Sequence, residues 1–340
     1  MLLTVLWAVA IFCIIIFIHE FGHFITAKLS GMTVHEFSIG MGPKVFGING
    51  KKTKYSLRIL PLGGYVKLEG EDGESDDSNA FCNKSWISRF LVLFSGALMN
   101  IILGFLIFAI VYSSGVSVAS NTIAKVVEES PLDNAGLMAG DKIVKLEGEK
   151  YSTSVHTFND INLFVSVNGE SLAKVTFERD GKKYTKSLTP FFDEKENRVI
   201  LGMNPAPTKK GFTGVLYLAF WECVFVIKSV FLSLWWLITG VVPASSVSGP
   251  VAIIGEIGTA AKYGWRTVVN FAGFISVNLG VMNLLPIPAL DGGRILFLII
   301  EKIRGKAMNP EKEGAINFIF FAILILFMLL VTFSDIKRIF

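Results

Sequence analysis

Long apolar runs separated by polar segments dominate the chain. Four runs approach the length of about 20 residues that a helix needs to cross a hydrocarbon core of ~30 Å, so each predicts a membrane span. These runs cover residues 3–25, 90–112, 271–290 and 316–333. A fifth run, residues 212–240, is as apolar as the others but carries Glu222 and Lys228.

The stretch between the second and fifth runs has ordinary polarity and predicts a soluble domain over residues 118–208. Short segments rich in strand-forming residues alternate there with Gly and Asn-Gly turn signals, a pattern typical of strands joined by tight turns. The segments are Thr122–Val127, Lys142–Leu146, Leu172–Phe177 and Tyr184–Leu188.

The composition supports a membrane protein and excludes other classes. Hydrophobic residues make up 52% of the chain and charged residues 18%, far from a soluble globular average. The net charge is +4, with no basic stripe interleaved with aromatic residues, so we expect no nucleic-acid binding. Three scattered cysteines, Cys13, Cys82 and Cys223, predict no disulfide framework.

Basic residues in the short loops predict the orientation of the chain. Lysine and arginine recur through residues 28–89 and 294–312, so both loops should be cytoplasmic by the positive-inside rule. The soluble domain is also rich in lysine, but segments of its length cross regardless of charge, and it should lie outside. The first run has no basic segment before it and no cleavage site after it, which predicts a retained span.

The clearest chemical signal is His19-Glu20-Phe21-Gly22-His23, at the inner end of the first run. Histidines four residues apart project from the same face of a helix, so His19 and His23 can bind one metal ion. Glu20 lies about 100° around the helix, within reach of a proton on a nearby water. Each ionisable group inside a span costs about 2.5–3.5 kcal/mol near the centre, so three of them together require a compensating interaction.

A catalytic zinc needs three protein ligands and a fourth position for water. The remaining histidines, His35 and His156, fall in a cytoplasmic loop and in the soluble domain, where surface positions are expected. Asp291 is the better third ligand, because Pro286 and Pro288 stop the helix before it and the following Gly-Gly pair lets the chain turn. Irregular backbone at membrane depth is tolerated against protein or a water-filled cavity, which a hydrolytic site requires.

With these two motifs the chain resembles the site-2 protease family of intramembrane zinc metalloproteases, and most closely the bacterial regulator-of-sigma-E-protease type with one PDZ-like domain. Three further stretches carry the resemblance: Phe37–Pro43, Arg58–Val66 and Val247–Pro250. It implies that His19, His23 and Asp291 bind Zn²⁺, that Glu20 is the general base and that Asn283 lines the site.

The resemblance also implies substrates and location. Members cut single-pass transmembrane proteins such as anti-sigma factors or remnant signal peptides, within the lipid bilayer of the cytoplasmic (inner) membrane. The zinc site is expected near the cytoplasmic side. One departure lies in Gly96-Ala97-Leu98-Met99-Asn100, where the family usually has proline after the glycine; Asn100 matches the family pattern.

The shared metal site decides how residues 212–240 are interpreted. If this run crossed the membrane, the 271–290 span would run outward and Asp291 would emerge on the face opposite to His19 and His23. We therefore predict an apolar helix at the outer interface, with Trp235 and Trp236 at headgroup depth, and keep a fifth span as the alternative.

Residues Tyr55–Leu68 alternate apolar and polar positions around a Gly-Gly pair, which predicts a β-hairpin. In the family a membrane-associated hairpin is thought to offer a strand edge to the unwound substrate, a role that would fall to Gly63, Gly64, Tyr65 and Val66. A plain cytoplasmic hairpin is the alternative.

Residues 130–148 resemble the core of a PDZ domain, in which Gly136 and Gly140 permit tight turns and Ile143 and Leu146 fill the core. Such a domain could screen substrates or serve as a structural cap. The predicted fold is thus a multi-span α-helical membrane protein with an extracytoplasmic PDZ-like α+β domain. Its parts are a membrane core with the first two spans, the PDZ-like domain, an interfacial helical segment, and a membrane core with the last two spans, at residues 1–117, 118–208, 209–270 and 271–340.

Two other function classes were weighed against a protease. A zinc transporter would also place His and Asp in membrane spans, but it would need a polar relay continuing outward and would give Glu20 no role. An inactive membrane scaffold is disfavoured by the intact ligands and base. The prediction is a zinc metalloendopeptidase.

Overall fold

A computed structural model describes residues 2–71, 73–115, 117–194, 197–208, 211–243, 247–306 and 308–339. The helices are α1 (Leu2–Leu29), α2 (Trp86–Ser113), α3 (Pro131–Asn134), α4 (Phe158–Asn168), α5 (Phe212–Ile238), α6 (Pro250–Lys262), α7 (Trp265–Asn283), α8 (Asp291–Arg304) and α9 (Pro310–Ile339), with a short 3₁₀ helix at Phe81–Asn83. The strands are β1 (Val34–Asn49), β2 (Lys54–Leu68), β3 (Ala119–Val126), β4 (Lys142–Glu147), β5 (Ser152–Ser154), β6 (Ala173–Arg179), β7 (Lys182–Leu188), β8 (Phe191–Asp193), β9 (Arg198–Ile200) and β10 (Met203–Pro207).

The chain divides into two compact units. One unit combines residues 1–107 with 226–340, and the other comprises residues 108–225. The boundary falls inside α2 and α5, so parts of both helices belong to the unit that contains the predicted soluble domain. The functional boundaries at 117, 208 and 270 remain a prediction.

Four of the described helices, α1, α2, α5 and α9, are long and apolar enough to cross a membrane. The prediction of a span over 271–290 is wrong in extent, because α7 ends at Asn283, and α7 is not among the four. The physical reasons are the prolines that follow and the polar residues within the helix. One of them, Ser276, is fully buried and donates a hydrogen bond of 2.7 Å to the carbonyl of Asn100.

Helix α2 packs against both α1 and α7 at very close range, which glycines permit. A Cβ at Gly104 would lie 2.3 Å from a methyl group of Val277, and one at Gly280 would lie 2.7 Å from the carbonyl oxygen of Ala97. These contacts make α2 and α7 antiparallel, and the contacts of Gly22 with Ser95 and of His19 with Asn100 make α1 and α2 antiparallel as well. Helices α1 and α7 therefore run in the same direction, as the shared metal site requires.

Strands β1 and β2 form an antiparallel two-stranded sheet with several register shifts. Residues 36–39 of β1 pair with residues 64–67 of β2 and also with residues 54–57 of β2. The two halves of β2 therefore flank β1 instead of pairing with each other. Residues 54–57 run in the same direction as residues 36–39, whereas residues 64–67 run in the opposite direction, so the chain reverses between the two halves of β2, near Gly63 at φ 84°. The prediction of a β-hairpin over Tyr55–Leu68 is confirmed for the reversal and wrong for the pairing, because β1 lies between the two halves. The direct connection between β1 and β2 is residues 50–53.

The unit of residues 108–225 contains a sheet with strand order β10-β3-β4-β6-β7, in which β5 joins β4. The four predicted strand segments correspond to β3, β4, β6 and β7, and that prediction is confirmed. Ile143 and Leu146 are fully buried in the core of this unit, as expected. Gly136 and Gly140 have φ of 77° and 95°, values that favour glycine.

Two polar contacts of this unit were not anticipated. Asp141 is 1% exposed and receives two hydrogen bonds of 2.6 Å from the guanidinium of Arg179. Burial works to raise the pKa of Asp141, but the Arg179 contacts and a hydrogen bond from the Met138 amide hold it below its usual value. His156, expected at the surface, is half-buried and stacks on Trp221 of α5 with ring centroids 3.4 Å apart.

Candidate metal centre

Three side chains from two helices converge inside the unit of residues 1–107 and 226–340. The Nε2 atoms of His19 and His23, one turn apart on α1, lie 3.2 Å from each other. Oδ2 of Asp291, the first residue of α8, lies 3.2 Å from the first of these nitrogens and 3.3 Å from the second. The structure thus brings together the three predicted metal ligands.

These separations match a metal site. Zinc binds His nitrogen and carboxylate oxygen at about 2.0–2.1 Å in tetrahedral geometry, which places neighbouring ligand atoms ~3.3 Å apart. Oδ2 of Asp291 is buried and makes no hydrogen bond, and the imidazole and carboxylate side chains are just 12% and 19% exposed. Lone pairs that face one another in such surroundings repel, and a bound cation removes the repulsion. The residues therefore fit Zn²⁺.

The second nitrogen of each imidazole contacts helix α2. Nδ1 of His23 lies 2.7 Å from the carbonyl oxygen of Val92, which fixes the proton on Nδ1 and frees Nε2 for a metal. Nδ1 of His19 lies 3.4 Å from the side-chain amide of Asn100, a fully buried residue whose Oδ1 has no hydrogen-bond partner. Turning this amide over would let Oδ1 accept the Nδ1 proton of His19.

We expect replacement of Asn100 by Leu, which has a similar volume, to weaken zinc binding about 10- to 100-fold, because His19 loses the partner that sets its tautomer and ring orientation. Asn100→Asp keeps an acceptor and should retain most of the affinity. Competition with a chelator measures both variants. Equal affinity in Asn100→Leu and the parent would show that the amide does not orient His19.

The sequence places Asp291 by ending one helix and beginning another. Between α7 and α8 the chain is irregular, and Ala289 has φ 75°. A Cβ at Gly292 would lie 2.2 Å from the carbonyl oxygen of Leu285, and one at Gly293 would lie 2.4 Å from that of Ile287. The Gly-Gly pair is therefore needed because the start of α8 folds tightly against the preceding turn.

Helix α2 also approaches the histidine rings through a glycine. A Cβ at Gly96 would lie 2.3 Å from Nε2 of His23 and 2.9 Å from Cε1 of His19. This requirement was missed in the sequence, where Gly96 was noted for the residue that follows it. The signal available was its one-turn spacing from Val92 and Asn100, which puts the three residues on one face of α2.

The half-buried Glu20 lies beside the sheet. A Cβ at Gly64 would lie 2.8 Å from Cγ of Glu20 and 2.9 Å from the carbonyl oxygen of Ser38, so residue 64 must be glycine for β2 to pass this close. Next to it, Tyr65 accepts a hydrogen bond of 2.6 Å from Arg58. The strand segment predicted to receive substrate therefore runs past the predicted base.

Arg58 links the two strands at this point. Its guanidinium donates 3.0 Å hydrogen bonds to Ser38 and Glu36. Partial burial works to raise the pKa of Glu36, but hydrogen bonds from Ser56, Tyr65 and Arg58 hold it below its usual value. Among the described strands none pairs with the second edge of residues 64–67.

The other predicted site residues have less definite places. Asn283 is the last residue of α7, eight residues before Asp291. Val66 pairs with Phe37 of β1. His35, which we did not assign to the metal, is half-exposed and lies 2.5 Å from a carboxylate oxygen of Glu69.

Comparison with known proteins identifies the family of this chain. The model of a family described as Peptidase family M50 matches residues 7–327. The chain belongs to peptidase family M50. A Clostridium acetobutylicum protein, provisionally named a zinc metalloprotease, is 43% identical over 97% of this chain and 96% of its own.

Two further M50 relatives carry functional names. The regulator of sigma-W protease RasP of Bacillus subtilis is 31% identical, and the zinc metalloprotease RasP of Shouchella clausii is 32% identical; each covers 99% of both chains. The family resemblance, the enzyme class and the Zn²⁺ cofactor expected from the sequence are confirmed. Among solved structures, the PDZ domain of an SdrC-like protein from Listeria monocytogenes matches 27% of this chain and 92% of its own at 16% identity, with a TM-score of 0.22.

Proposed function

We propose that this M50 peptidase hydrolyses peptide bonds within, or at the edge of, the transmembrane segments of single-pass membrane proteins. The observation that carries the proposal is the convergence of Asp291 with His19 and His23, two residues of a helix that is apolar enough to cross a membrane and that also carries Glu20. Anti-sigma factors and remnant signal peptides are the proposed substrates. The sigma-W regulator among the relatives supports the first of these.

The residues divide the chemistry among them. His19, His23 and Asp291 would hold Zn²⁺, which when bound lowers the pKa of a water molecule to about 7 and polarises a carbonyl. The carboxylate of Glu20 accepts a proton from the attacking water and delivers it to the leaving nitrogen. Asn283 donates its amide N–H to the substrate backbone or to the developing oxyanion.

A direct test combines two measurements on the purified full-length protein. We expect about one zinc per chain and cleavage of a generic single-pass membrane peptide that a chelator stops and added zinc restores. Zinc binding without cleavage of any membrane peptide would favour the transporter or scaffold classes.

The substrate must leave its helix before it is cut. A helical peptide keeps each carbonyl bonded to a neighbour one turn away, whereas an extended one can add to a free strand edge and expose its peptide bonds. Residues 64–67 of β2 offer such an edge beside Glu20.

We expect a substrate with Gly in the cut region to be cleaved about fivefold faster than one with Leu there, because Gly lowers the cost of unwinding by about 1 kcal/mol. Val66→Pro should slow both substrates without releasing zinc, since it deletes a backbone donor, and Val66→Ala, which keeps the donor, is its control. Initial rates decide the matter. Equal rates on the two substrates would show that unwinding does not limit cleavage. Full activity in Val66→Pro would show that the strand has a structural role only.

The inner membrane is the proposed location, and the ends of the helices support a non-spanning α5. Thr4 contacts Gly258, and Gly249 donates its amide N–H to Asp335 near the end of α9. Thr4 is ~22 Å along α1 from His19, so the chain re-enters this unit at the end far from the metal centre. If α5 crossed, residues 239–248 would have to return across the bilayer, and residues 239–243 and 247–248, their described part, form no helix whose backbone could satisfy itself in lipid.

Cysteine labelling in intact cells tests this topology, in a background without the three native cysteines. We expect Glu74→Cys to react from the cytoplasm alone, and Lys183→Cys and Thr239→Cys from outside alone. These positions are exposed, whereas Asn168 in the same domain is buried and unsuitable. Cytoplasmic labelling at Thr239 with outside labelling at Lys183 would make α5 a membrane span.

A further inference from the structure

Helix α2 contacts both halves of the metal centre. The two histidines are on α1, and α2 meets them through the Val92 carbonyl and the bare backbone of Gly96. The third ligand begins α8, and the same helix α2 meets α8 two to three turns earlier, at Trp86 and Arg89. One helix therefore sets the position of ligands that come from two others.

The contact between α2 and α8 has several parts. Nη1 and Nη2 of Arg89 donate to the two carboxylate oxygens of Glu301, at 3.0 and 2.6 Å. Nε1 of Trp86 donates a 2.9 Å hydrogen bond to the carbonyl of Leu298, and Nζ of Lys302 lies 4.2 Å from the centre of the indole ring. We call these five residues the α2–α8 clamp.

The geometry of the clamp restricts both the distance and the roll of α8. A two-bond pair between guanidinium and carboxylate is planar and directional, unlike a contact between point charges. The arginine and glutamate side chains are 14% and 26% exposed, so water competes for them weakly. Positions 298, 301 and 302 lie on one face of α8, so the clamp requires that this face be turned toward α2.

We propose that Arg89 and Glu301 are positioning residues for the metal centre, because their pairing orients α8 so that Asp291 meets the two histidines. This rests on the proposed function, in which Asp291 is a zinc ligand. Glu301 is ten residues from Asp291, ~15 Å along the helix, so a tilt of ~10° would move the ligand by ~2.6 Å. Metal sites tolerate about 0.2 Å.

Zinc affinity, measured by chelator competition on the full-length protein, tests the clamp independently of proteolysis. We expect Arg89→Gln and Glu301→Gln each to weaken binding about 10- to 100-fold, as loss of an outer partner of a metal site does. The exchanged pair Arg89→Glu with Glu301→Arg should recover most of the affinity. Glu147→Gln removes a pair with Lys145 that is exposed and distant in sequence, and should leave the affinity unchanged.

A second comparison separates positioning from general destabilisation. If Arg89 acts through Asp291, Arg89→Gln should weaken the residual zinc binding of Asp291→Ala by less than about twofold, since the two changes share one interaction. An undiminished effect in that background would overturn the proposal, as would wild-type affinity in Arg89→Gln.

The failure of the proposed function gives a different result, in which the parent binds no zinc or Asp291→Ala binds as tightly as the parent. Should Arg89→Gln not accumulate as folded protein, Trp86→Phe decides the question. It retains an aromatic ring and deletes one donor. We expect it to weaken zinc binding at least threefold, and unchanged affinity would overturn the proposal.

Discussion

Glu20→Gln is expected to reduce peptide hydrolysis by about 10²- to 10⁴-fold, the usual contribution of a general base, while the protein keeps its zinc. Gln has the same shape as Glu but cannot accept and return a proton. Because Glu20 is one residue from a ligand and not itself in the ligand cluster, its loss should leave the His19, His23 and Asp291 atoms in place.

Asp291→Ala is the matched comparison, since it removes a ligand and should bind zinc far more weakly, with only residual affinity, and lose activity. Metal analysis and initial rates on the same preparations separate the two roles. If Glu20→Gln cleaves at the parent rate, the base is elsewhere. If it loses zinc as Asp291→Ala does, Glu20 belongs to the metal site rather than to proton transfer.

The metal centre was accessible to sequence reasoning because its parts are local or chemically isolated. The spacing of His19 and His23 needs only a helix to become a site. Asp291 stood out because it follows two prolines inside an apolar region that otherwise lacks charge. The structure adds the distances, which no spacing rule supplies across 268 residues of separation between His23 and Asp291.

The sheet of β1 and β2 shows where such reasoning fails. The Gly-Gly pair at residues 63–64 is a strong turn signal when only the neighbouring residues are considered. In the fold the chain does reverse there, but β1 separates the two halves of β2, and Gly64 also has to pass against Glu20. Gly40 and Gly42, both with φ of 83°, lie where β1 itself reverses direction, and this strand was not predicted from the sequence.

The α2 contacts were missed for a related reason. Trp86 and Arg89 directly precede the predicted span and Gly96 lies within it, at helical spacing, where a turn-by-turn pattern predicts ordinary packing. The local sequence does not indicate that Glu301 or His23 will be their partners. Contacts between distant segments of a bundle depend on how the helices pack. A periodic pattern of apolar residues does not specify that packing.

Gly96 makes one of these contacts that the local sequence does not show. Replacing Gly by Ala in a helix normally stabilises it by about 1 kcal/mol. At Gly96 we expect the opposite consequence for the metal centre, because the added methyl would lie 2.3 Å from Nε2 of His23 and 2.6 Å from Cε1 of the same ring. The ring cannot simply move aside, since its Nδ1 is held by the Val92 carbonyl.

We therefore expect Gly96→Ala to weaken zinc binding by more than about 100-fold, beyond the loss caused by removing an outer partner, while the protein remains folded. Gly255→Ala, a helix position with nothing within 4 Å of the added Cβ, should bind zinc as the parent does. Chelator competition and a thermal unfolding curve on each variant give the comparison. If Gly96→Ala binds zinc normally, α2 does not pack against the imidazoles and does not set the position of His23. A loss of zinc without a loss of folding would show that glycine is required at residue 96 by the ligands and not by the helix.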